Sequence, residues 1–318
     1  MSPTSIILCM AACFVGLVAA LIVVNRFGSM STRKLVVIAM MVAVYVVLNT
    51  VGTIRLGSIT LGYRESSVPF SYLGADGKPV GYAFEVCRKV AESAQKELGL
   101  AKLDVKYQAV TSANRIPLIQ NGTVDIECGS TTNSLVRQRE AAFSVSYFGI
   151  QVSAAVWKSS GINSMKDLNG KTIAVTSGTT SVALMKKFEK ENGIRVRYMM
   201  TKDFAEAMQL VANKRADAFV LDDVLLAGQI ANLKNSADFK ILDAALSVEP
   251  YGAMFRKDDP QFKALVDKTV TNMIKTGELE KLYKTWFESP IPPKNVNLNF
   301  KMNNYTKELF ANPSDKGI

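Results

Sequence analysis

The chain has 318 residues, 48% of them hydrophobic and 21% charged, a composition that suits about two folded domains and excludes a largely disordered protein. It contains no histidine, which excludes imidazole metal ligands and every nucleophile arrangement that uses histidine as its base. The two cysteines beyond the hydrophobic amino-terminal region, Cys87 and Cys128, do not have zinc-site spacing, and we expect neither a metal nor a cofactor. The net charge of +10 favours anionic ligands, but acidic residues interrupt the basic ones, so no nucleic-acid partner is indicated.

The amino-terminal region, residues 1–52, is predicted to be a hydrophobic signal or anchor. It holds apolar runs at 6–24 and 35–48, separated by a polar stretch with basic residues, and no acidic residue. One interpretation is a signal peptide that starts at Met30 and is cleaved after Gly52, and the other is a retained membrane anchor. Either interpretation places the rest of the chain on the far side of the membrane.

From residue 53 onward, short apolar runs alternate with amphipathic helical patterns, which is typical of an α/β fold with open sheets. The pattern predicts strands at 59–62, 104–108, 123–127, 152–157, 172–176, 195–199, 218–221 and 252–255. It predicts helices at 83–98, 113–120, 133–141, 180–191, 204–213, 259–275 and 277–287. The segment from Pro290 onward is predicted to be an extended tail that wraps a lobe.

A hydroxyl-rich turn between a predicted strand and a predicted helix is the most informative local feature. Residues 130–132 read Ser-Thr-Thr, and Arg137 lies about one turn into the helix that follows. Backbone N–H groups and hydroxyls at the positive end of a helix bind anions, and the planar arginine fork suits a carboxylate. A second turn of this kind, residues 176–181, follows the strand at 172–176. The two turns together suggest a ligand held between two halves of the chain.

Two further arginines and one aspartate extend this pattern. Arg64 precedes two serines, Arg115 follows Ser112, and both lie after predicted strands, where open α/β sheets bind ligands. A single such arginine is more often a surface ion pair of small energetic effect, but three beside strand-end hydroxyls predict an anion site. Asp222 ends an apolar strand and either caps the next helix or accepts hydrogen bonds from an ammonium group. The combination predicts a zwitterion with an extra acid group, namely glutamate or aspartate.

The two cysteines of this part of the chain leave two alternatives open. Cys87 lies on the apolar side of the helix at 83–98, and Cys128 ends the strand at 123–127. In an oxidising compartment they would form a disulfide that closes a loop of about 40 residues. Otherwise they are two buried thiols.

From residue 59 onward the sequence resembles the family 3 extracytoplasmic solute-binding proteins of amino-acid ABC importers, most closely the glutamate/aspartate-binding members. The motifs that carry the resemblance are residues 62–72 (GYRESSVPFSY), 111–118 (TSANRIPL), 121–123 (NGT), 127–133 (ECGSTTN), 176–181 (TSGTTS), 222–228 (DDVLLAG), 256–259 (RKDD) and 290–295 (PIPPKN). Any one of these motifs is weak, and their order and number make the resemblance specific.

The resemblance implies a type II periplasmic-binding-protein fold, in which two α/β lobes close on the ligand like a hinged trap. Two crossing hinge strands are expected near 147–150 and 248–251. The first lobe then comprises 53–148 with 250–318, and the second lobe comprises 149–249.

The resemblance also implies which residues bind the α-amino-acid groups of the ligand. Arg137, with Ser130 and Thr132, would bind the α-carboxylate. Asp222 would bind the α-ammonium.

The side chain of the ligand has its own predicted contacts. Arg64, Arg115 and Ser112 would bind the side-chain carboxylate, and Thr179 and Thr180 would supply contacts from the second lobe. The family resemblance leads us to expect a monomer that binds without chemistry and delivers its ligand to a membrane permease and ATPase.

One departure from the family pattern keeps the ligand open. The glutamate/aspartate binders usually have Asp-His where this chain has Asp203-Phe204. Loss of the imidazole leaves glutamine or asparagine as alternative ligands. Two alternatives from other classes are a membrane-tethered amino-acid sensor and a lyase with Glu65 or Glu127 as its base.

Overall fold

The computed structural model describes residues 57–318. The strands are β1 (Ser58–Tyr63), β2 (Ser66–Ser67), β3 (Ser71–Leu73), β4 (Pro79–Val80), β5 (Asp104–Ala109), β6 (Ile126–Glu127), β7 (Ala142–Phe143), β8 (Phe148–Trp157), β9 (Thr172–Thr176), β10 (Arg197–Thr201), β11 (Ala218–Asp222), β12 (Phe239–Ile241), β13 (Ser247–Tyr251), β14 (Met254–Phe255), β15 (Pro290–Ile291) and β16 (Val296–Asn297). The helices are α1 (Tyr82–Glu97), α2 (Arg115–Gln120), α3 (Leu135–Gln138), α4 (Thr180–Asn192), α5 (Phe204–Ala212), α6 (Asp223–Ala231), α7 (Pro260–Lys275), α8 (Glu278–Phe287) and α9 (Asn304–Ala311). The hydrophobic region predicted at 1–52 lies outside the described residues. Within 57–318, none of the helices has both the length and the apolar character that a membrane span requires.

The first sheet has the strand order β5-β1-β6-β14-β7. Strand β1 runs parallel to β5 and β6, whereas β14 runs antiparallel to β6 and β7. Ile59 and Leu61 are buried on β1 and alternate with half-exposed residues, because successive side chains of a strand point to opposite faces. The parallel strands bring the residues that follow β1, β5 and β6 to one edge of this sheet.

The second sheet has the order β10-β9-β11-β8-β12, and β13 also pairs with β8. Strand β9 is parallel to β10 and to β11, and β8 is antiparallel to β11, β12 and β13. Strand β8 is buried along most of its length because helices α6 and α9 pack against it. The residues after β9 and β11 therefore share the edge at which their strands end.

Strands β8 and β13 form the two crossings between the sheets. Pro250 is opposite Gly149, and Tyr251 is opposite Phe148. The Tyr147 N–H donates to the Tyr251 carbonyl oxygen at 2.9 Å just before β8 begins. The two chain passages lie side by side, which is the arrangement predicted for the hinge strands. The exact lobe boundaries, 53–148 with 250–318 and 149–249, stay a prediction.

A cluster of buried aromatic rings fixes the crossing strands to helices α1 and α8. The ring centroids of Phe70 and Phe148 are 4.8 Å apart, and those of Tyr82 and Phe287 are 5.1 Å apart. Tyr251 packs edge-on against Phe70 at 5.2 Å. Such edge-to-face pairs add directional contacts to the burial of large apolar surfaces. One end of the crossing is therefore held rigidly against the first sheet.

The alternatives for the two cysteines are resolved by a disulfide between Cys87 and Cys128. It joins the buried face of α1 to the residue after β6, and the Cα atoms are 5.8 Å apart. The bond therefore links helix α1 to the segment that leads into the turn at 130–132.

The segment from Pro290 onward was predicted to be an extended tail, and this prediction is wrong. It contains the hairpin β15–β16 and helix α9. Asn303 is the N-cap of α9, and its Oδ1 accepts a hydrogen bond from the Thr306 N–H at 2.7 Å. The Asn303 Nδ2 donates to the Gly149 carbonyl oxygen at 2.7 Å, and the Gly149 N–H donates to the Thr306 hydroxyl at 3.0 Å. The prolines and the Asn-rich composition suggested an extended tail, but these contacts fasten α9 to the crossing strand β8.

The predicted helices at 113–120 and 133–141 are shorter in the structure, and the strand predicted at 123–127 contains only Ile126–Glu127. Helix α2 starts later because Thr111 and Asn114 hydrogen-bond reciprocally through side chain and backbone. Helix α3 starts later because Thr132 forms a bridge with Tyr251 of β13. Backbone that pairs with the crossing strand is not available for a helix.

Candidate ligand-binding site

The nine predicted site residues all lie at strand ends or helix starts that face the space between the two sheets. Those from the first sheet follow β1, β5 and β6, and those from the second sheet follow or end β9 and β11. The residues are Arg64, Ser112, Arg115, Ser130, Thr132, Arg137, Thr179, Thr180 and Asp222.

Arg64 follows β1 and is only 2% exposed. Its guanidinium carbon lies 4.9 Å from the centre of the Phe204 ring, in a cation–π contact. Burial and the nearby positive charge of Arg115 lower the pKa of Arg64 to about 10, so it remains charged at neutral pH. Phe204 thus covers one face of this arginine and leaves its edge for hydrogen bonds.

Arg115 begins helix α2 and lies beside the turn at 130–132. Its Nη1 donates to the Thr131 hydroxyl at 2.6 Å and to the Ser130 carbonyl oxygen at 3.3 Å. Its Nη2 donates across the gap between the sheets to the Gly178 carbonyl oxygen at 3.4 Å. Arg115 is therefore held in place by both halves of the site.

Arg137 lies on the short helix α3 and is half-buried. Its Nη1 donates to the Thr132 carbonyl oxygen and its Nη2 to the Gly178 carbonyl oxygen, both at 3.0 Å. Burial and the charge of Arg115 lower the pKa of Arg137 to about 10. Two arginines of the first half thus converge on one peptide carbonyl of the second half.

Several buried donors of this cluster have no hydrogen-bond partner among the described residues. They are Arg64 Nη1, Arg115 Nε and Ser112 Oγ. Leaving a buried donor without a partner costs about 1–3 kcal/mol, and more for a charged group. Three such donors in one place indicate a site built to receive an acceptor, and for the two arginines an anion.

Asp222 ends β11 and occupies the first position before helix α6, but its side chain makes no capping hydrogen bond. The Tyr251 hydroxyl donates to its Oδ2 instead. Burial, together with the charge of Glu249, raises the pKa of Asp222 to about 8. The capping alternative is thereby excluded, and a buried carboxyl group faces the site.

The hydroxyl groups of the site differ in the direction of their hydrogens. The Thr179 hydroxyl donates to the carbonyl oxygen of Thr176 at 2.7 Å, so its hydrogen bond lies within the turn at 176–181. The Thr132 and Thr180 hydroxyls donate to Glu249 Oε2 at 2.6 and 2.9 Å. A hydroxyl has a single hydrogen to donate, so neither Thr132 nor Thr180 has one left for a ligand carboxylate. The carboxylate contact predicted for Thr132 stays a prediction, and its side chain could make it only by turning its hydrogen away from Glu249.

Ser130 lies at the turn itself and is 5% exposed. Its Oγ is 3.5 Å from the Ser67 Oγ, and its carbonyl oxygen accepts from Arg115. The serine thus links the loop after β6 to the short strand β2.

Four residues of the site were not predicted from the sequence to bind or support a ligand. Glu249 and Tyr251 lie on β13, Gly178 supplies the shared carbonyl oxygen, and the Oε2 of buried Glu127 accepts from Thr131 at 2.6 Å. An acidic residue within an apolar segment was the signal used for Asp222, and the same signal applied to Glu127 and Glu249. Gly178 has φ +81°, and a side chain there would collide with the Ser112 carbonyl oxygen.

Two sheets joined by two crossing strands, with a polar site between them, define the class of two-lobe, type II binding proteins. A mutant of ArgBP from T. maritima has this fold, with a TM-score of 0.65 and 26% identity over 73% of this chain and 96% of that one. The chain belongs to the bacterial extracellular solute-binding proteins of family 3, whose sequence profile matches residues 59–289.

Two relatives are similar over most of their length. An L-glutamate/L-aspartate-binding protein of Pseudomonas aeruginosa is 46% identical over 261 residues, or 82% of this chain and 86% of that protein. A glutamate/aspartate import solute-binding protein of Escherichia coli is 44% identical over 262 residues, or 82% of this chain and 87% of that protein.

Proposed function

We propose that this protein is the substrate-binding component of an ABC importer for L-glutamate and L-aspartate. The observation that carries the proposal is the set of three converging arginines, two of which have an unpartnered buried nitrogen, together with the buried carboxyl group of Asp222. The names of the two relatives support the same ligands. The protein would act as a monomer that hands its ligand to the permease and ATPase subunits in the membrane.

A periplasmic location follows from the same proposal. The family is described as extracellular, and the Cys87–Cys128 disulfide suits an oxidising compartment. The tethered-sensor alternative depends on residues 1–52. No observation among the described residues favours it over transport.

The ligand's two carboxylates would be bound by different arginines. Arg137 lies next to Ser130 and Thr132 and would bind the α-carboxylate, which is a stronger acceptor than the Gly178 carbonyl oxygen that Arg137 now contacts. Arg64 and Arg115 would bind the side-chain carboxylate.

Ser112 would complete the side-chain subsite, because its buried hydroxyl lies near Arg115 and has no partner in the described part of the chain. Asp222 would bind the α-ammonium. Thr179 and Thr180 would complete the second half, Thr179 through its backbone and Thr180 through its hydroxyl oxygen.

The Phe204 ring favours an acid over an amide at this subsite. It packs on the face of Arg64 and leaves Nη1 without a partner, so a charged oxygen is the group that best satisfies this arginine. Glutamine and asparagine would place an amide N–H₂ against a donor and leave part of the positive charge unpaired.

Closure of the two halves would be driven by contacts from both sides. Arg115 and Arg137 already reach Gly178 across the gap. A ligand shifts the protein toward the closed form only by its additional affinity for that form, and a ligand touched by both halves has this property.

The ligand class is tested by calorimetric titration with L-glutamate, L-aspartate, L-glutamine and L-asparagine, after the protein is unfolded and refolded to remove bound amino acid. We expect the two acids to bind at least about tenfold more tightly than the amides, because a charged acceptor gains roughly 1.4 kcal/mol or more from the arginines. Tighter binding of the amides would reassign the ligand, and no binding by any of the four would refute the proposed function.

The proposal also predicts a pH dependence that originates at Asp222. Its folded pKa of about 8 lies above its unfolded value of 3.8, so the empty protein holds an extra proton between these values and loses stability as the pH rises through this range. A bound ammonium stabilises the ionised carboxylate, so binding releases this proton and affinity should rise between about pH 6 and 8, by up to about tenfold per unit.

Calorimetry in buffers of different ionisation enthalpy measures the released proton directly. We expect about one proton per ligand at pH 7 in the wild type and none in Asp222→Asn. A wild-type affinity that stays constant from about pH 6 to 8 would contradict the ammonium role of Asp222.

A further inference from the structure

Glu249 is a buried carboxylate that connects the two halves of the site. It lies on the crossing strand β13 and is 1% exposed. Its Oε2 accepts hydrogen bonds from Thr132 at 2.6 Å and from Thr180 at 2.9 Å, and its Oε1 accepts from Ser247 at 2.8 Å. Thr132 follows β6 of the first sheet, whereas Thr180 begins α4 after β9 of the second sheet. One carboxylate thus binds one hydroxyl from each half.

These hydrogen bonds determine what the two threonines can do. A carboxylate only accepts, so the single hydrogen of each hydroxyl points to Glu249. Thr132 and Thr180 then offer only lone pairs to any third group. Lone pairs attract an ammonium group and repel carboxylate oxygens.

The surroundings of Glu249 favour a cation on the same side of the site. Its charge contributes to the raised pKa of Asp222, and Tyr251, two residues further along β13, donates to Asp222. Acceptors from β11, from the turn after β6 and from the start of α4 therefore lie together. Arg137, whose positive charge Glu249 and Asp222 also favour, binds the carbonyl oxygen of Thr132 and not its hydroxyl.

We propose that Glu249 is a positioning residue that orients the Thr132 and Thr180 hydroxyls as acceptors for the ligand's ammonium group. By binding one hydroxyl from each half, it also makes the acceptor set complete only when the two halves are together. This inference rests on the proposed binding of an amino acid. It does not depend on which amino acid is bound, because all α-amino acids carry the ammonium group.

The test is a double-mutant cycle with Glu249→Met and Thr180→Val, measured by calorimetry with the amino acid that the wild type binds most tightly. Methionine fills a similar space but offers no oxygen acceptor, so nothing holds the two threonine hydrogens away from the ligand. We expect Glu249→Met to weaken binding roughly 10- to 100-fold. Because both changes act through the same hydroxyl, the double variant should lose much less than the product of the two single losses.

Glu140→Met is the matched control, because Glu140 is exposed and the change is the same. We expect it to bind like the wild type. Wild-type affinity in a folded Glu249→Met protein, or losses that simply multiply in the double variant, would overturn the positioning role.

A second pair of variants tests the inference if Glu249→Met does not fold. Thr180→Ser retains the hydroxyl and should keep most of the affinity, whereas the similarly shaped Thr180→Val should lose it. Equal affinities of the two would overturn the proposal. A wild type that binds amides rather than acids changes only the proposed ligand, and a wild type that binds no amino acid refutes both proposals.

Discussion

Replacing Arg137 by alanine should remove most of the affinity for the ligand, with a loss of about 2–5 kcal/mol, or roughly 30- to 4,000-fold in Kd. Arg137 is half-buried and keeps its charge, because its pKa of about 10 lies well above neutral pH. Its two terminal nitrogens reach the Thr132 and Gly178 carbonyl oxygens, which belong to different halves of the site. The variant would lose the α-carboxylate contact and also a contact that spans the two halves.

Calorimetric titration of Arg137→Ala measures this loss, and Arg139→Ala is its matched control. Arg139 lies two residues further along the chain at the end of the same short helix, but it is exposed. We expect the control to bind within about twofold of the wild type, as surface charges contribute little. An Arg137→Ala protein with a wild-type unfolding transition and unchanged affinity would refute the role of Arg137.

Reduction of the Cys87–Cys128 disulfide should lower the free energy of unfolding by about 4 kcal/mol. The two cysteines are 41 residues apart in the sequence, and a cross-link over such a loop restricts the unfolded chain. Both residues are fully buried, and the bond joins α1 to the turn that leads to the ligand site. Guanidinium unfolding with and without reductant measures the difference while both sulfur atoms remain in place.

Cys87→Ala/Cys128→Ala is the control for this experiment, because reductant has no bond to break in it. Its unfolding midpoint should be the same with and without reductant and close to that of the reduced wild type. A wild-type midpoint that does not respond to reductant, in a protein shown by mass to be reduced, would contradict the stabilising role of the bond.

The regular elements were largely predictable because they depend on local sequence. The strand at 172–176 and the helices α1, α4 and α7 lie within two residues of their predicted bounds. In each, the spacing of apolar residues matches the period of the element. The segments that are shorter than predicted, at 113–120, 123–127 and 133–141, and the tail after Pro290 are places where side chains or distant strands compete with the local pattern.

The residues of the site were predictable for a different reason. Arginines and hydroxyl residues at strand ends are visible in the sequence, and parallel strands bring these ends to one edge. The structure places all nine predicted residues around one space, and their roles in binding remain a proposal. The pattern could not reveal that the Thr132 hydroxyl points to Glu249, because these residues are 117 positions apart.

The sequence by itself determined the alternation of strands and helices, the arginine-rich site between two halves and the resemblance to a family of binding proteins. Only the tertiary structure showed that the two cysteines form a disulfide and that the tail contains α9. It also showed that the Thr132 and Thr180 hydroxyls donate hydrogen bonds to Glu249. The physical reason is distance along the chain. Asn303 and Gly149, which anchor α9, are 154 positions apart, and contacts of that kind exist only when the whole chain is folded.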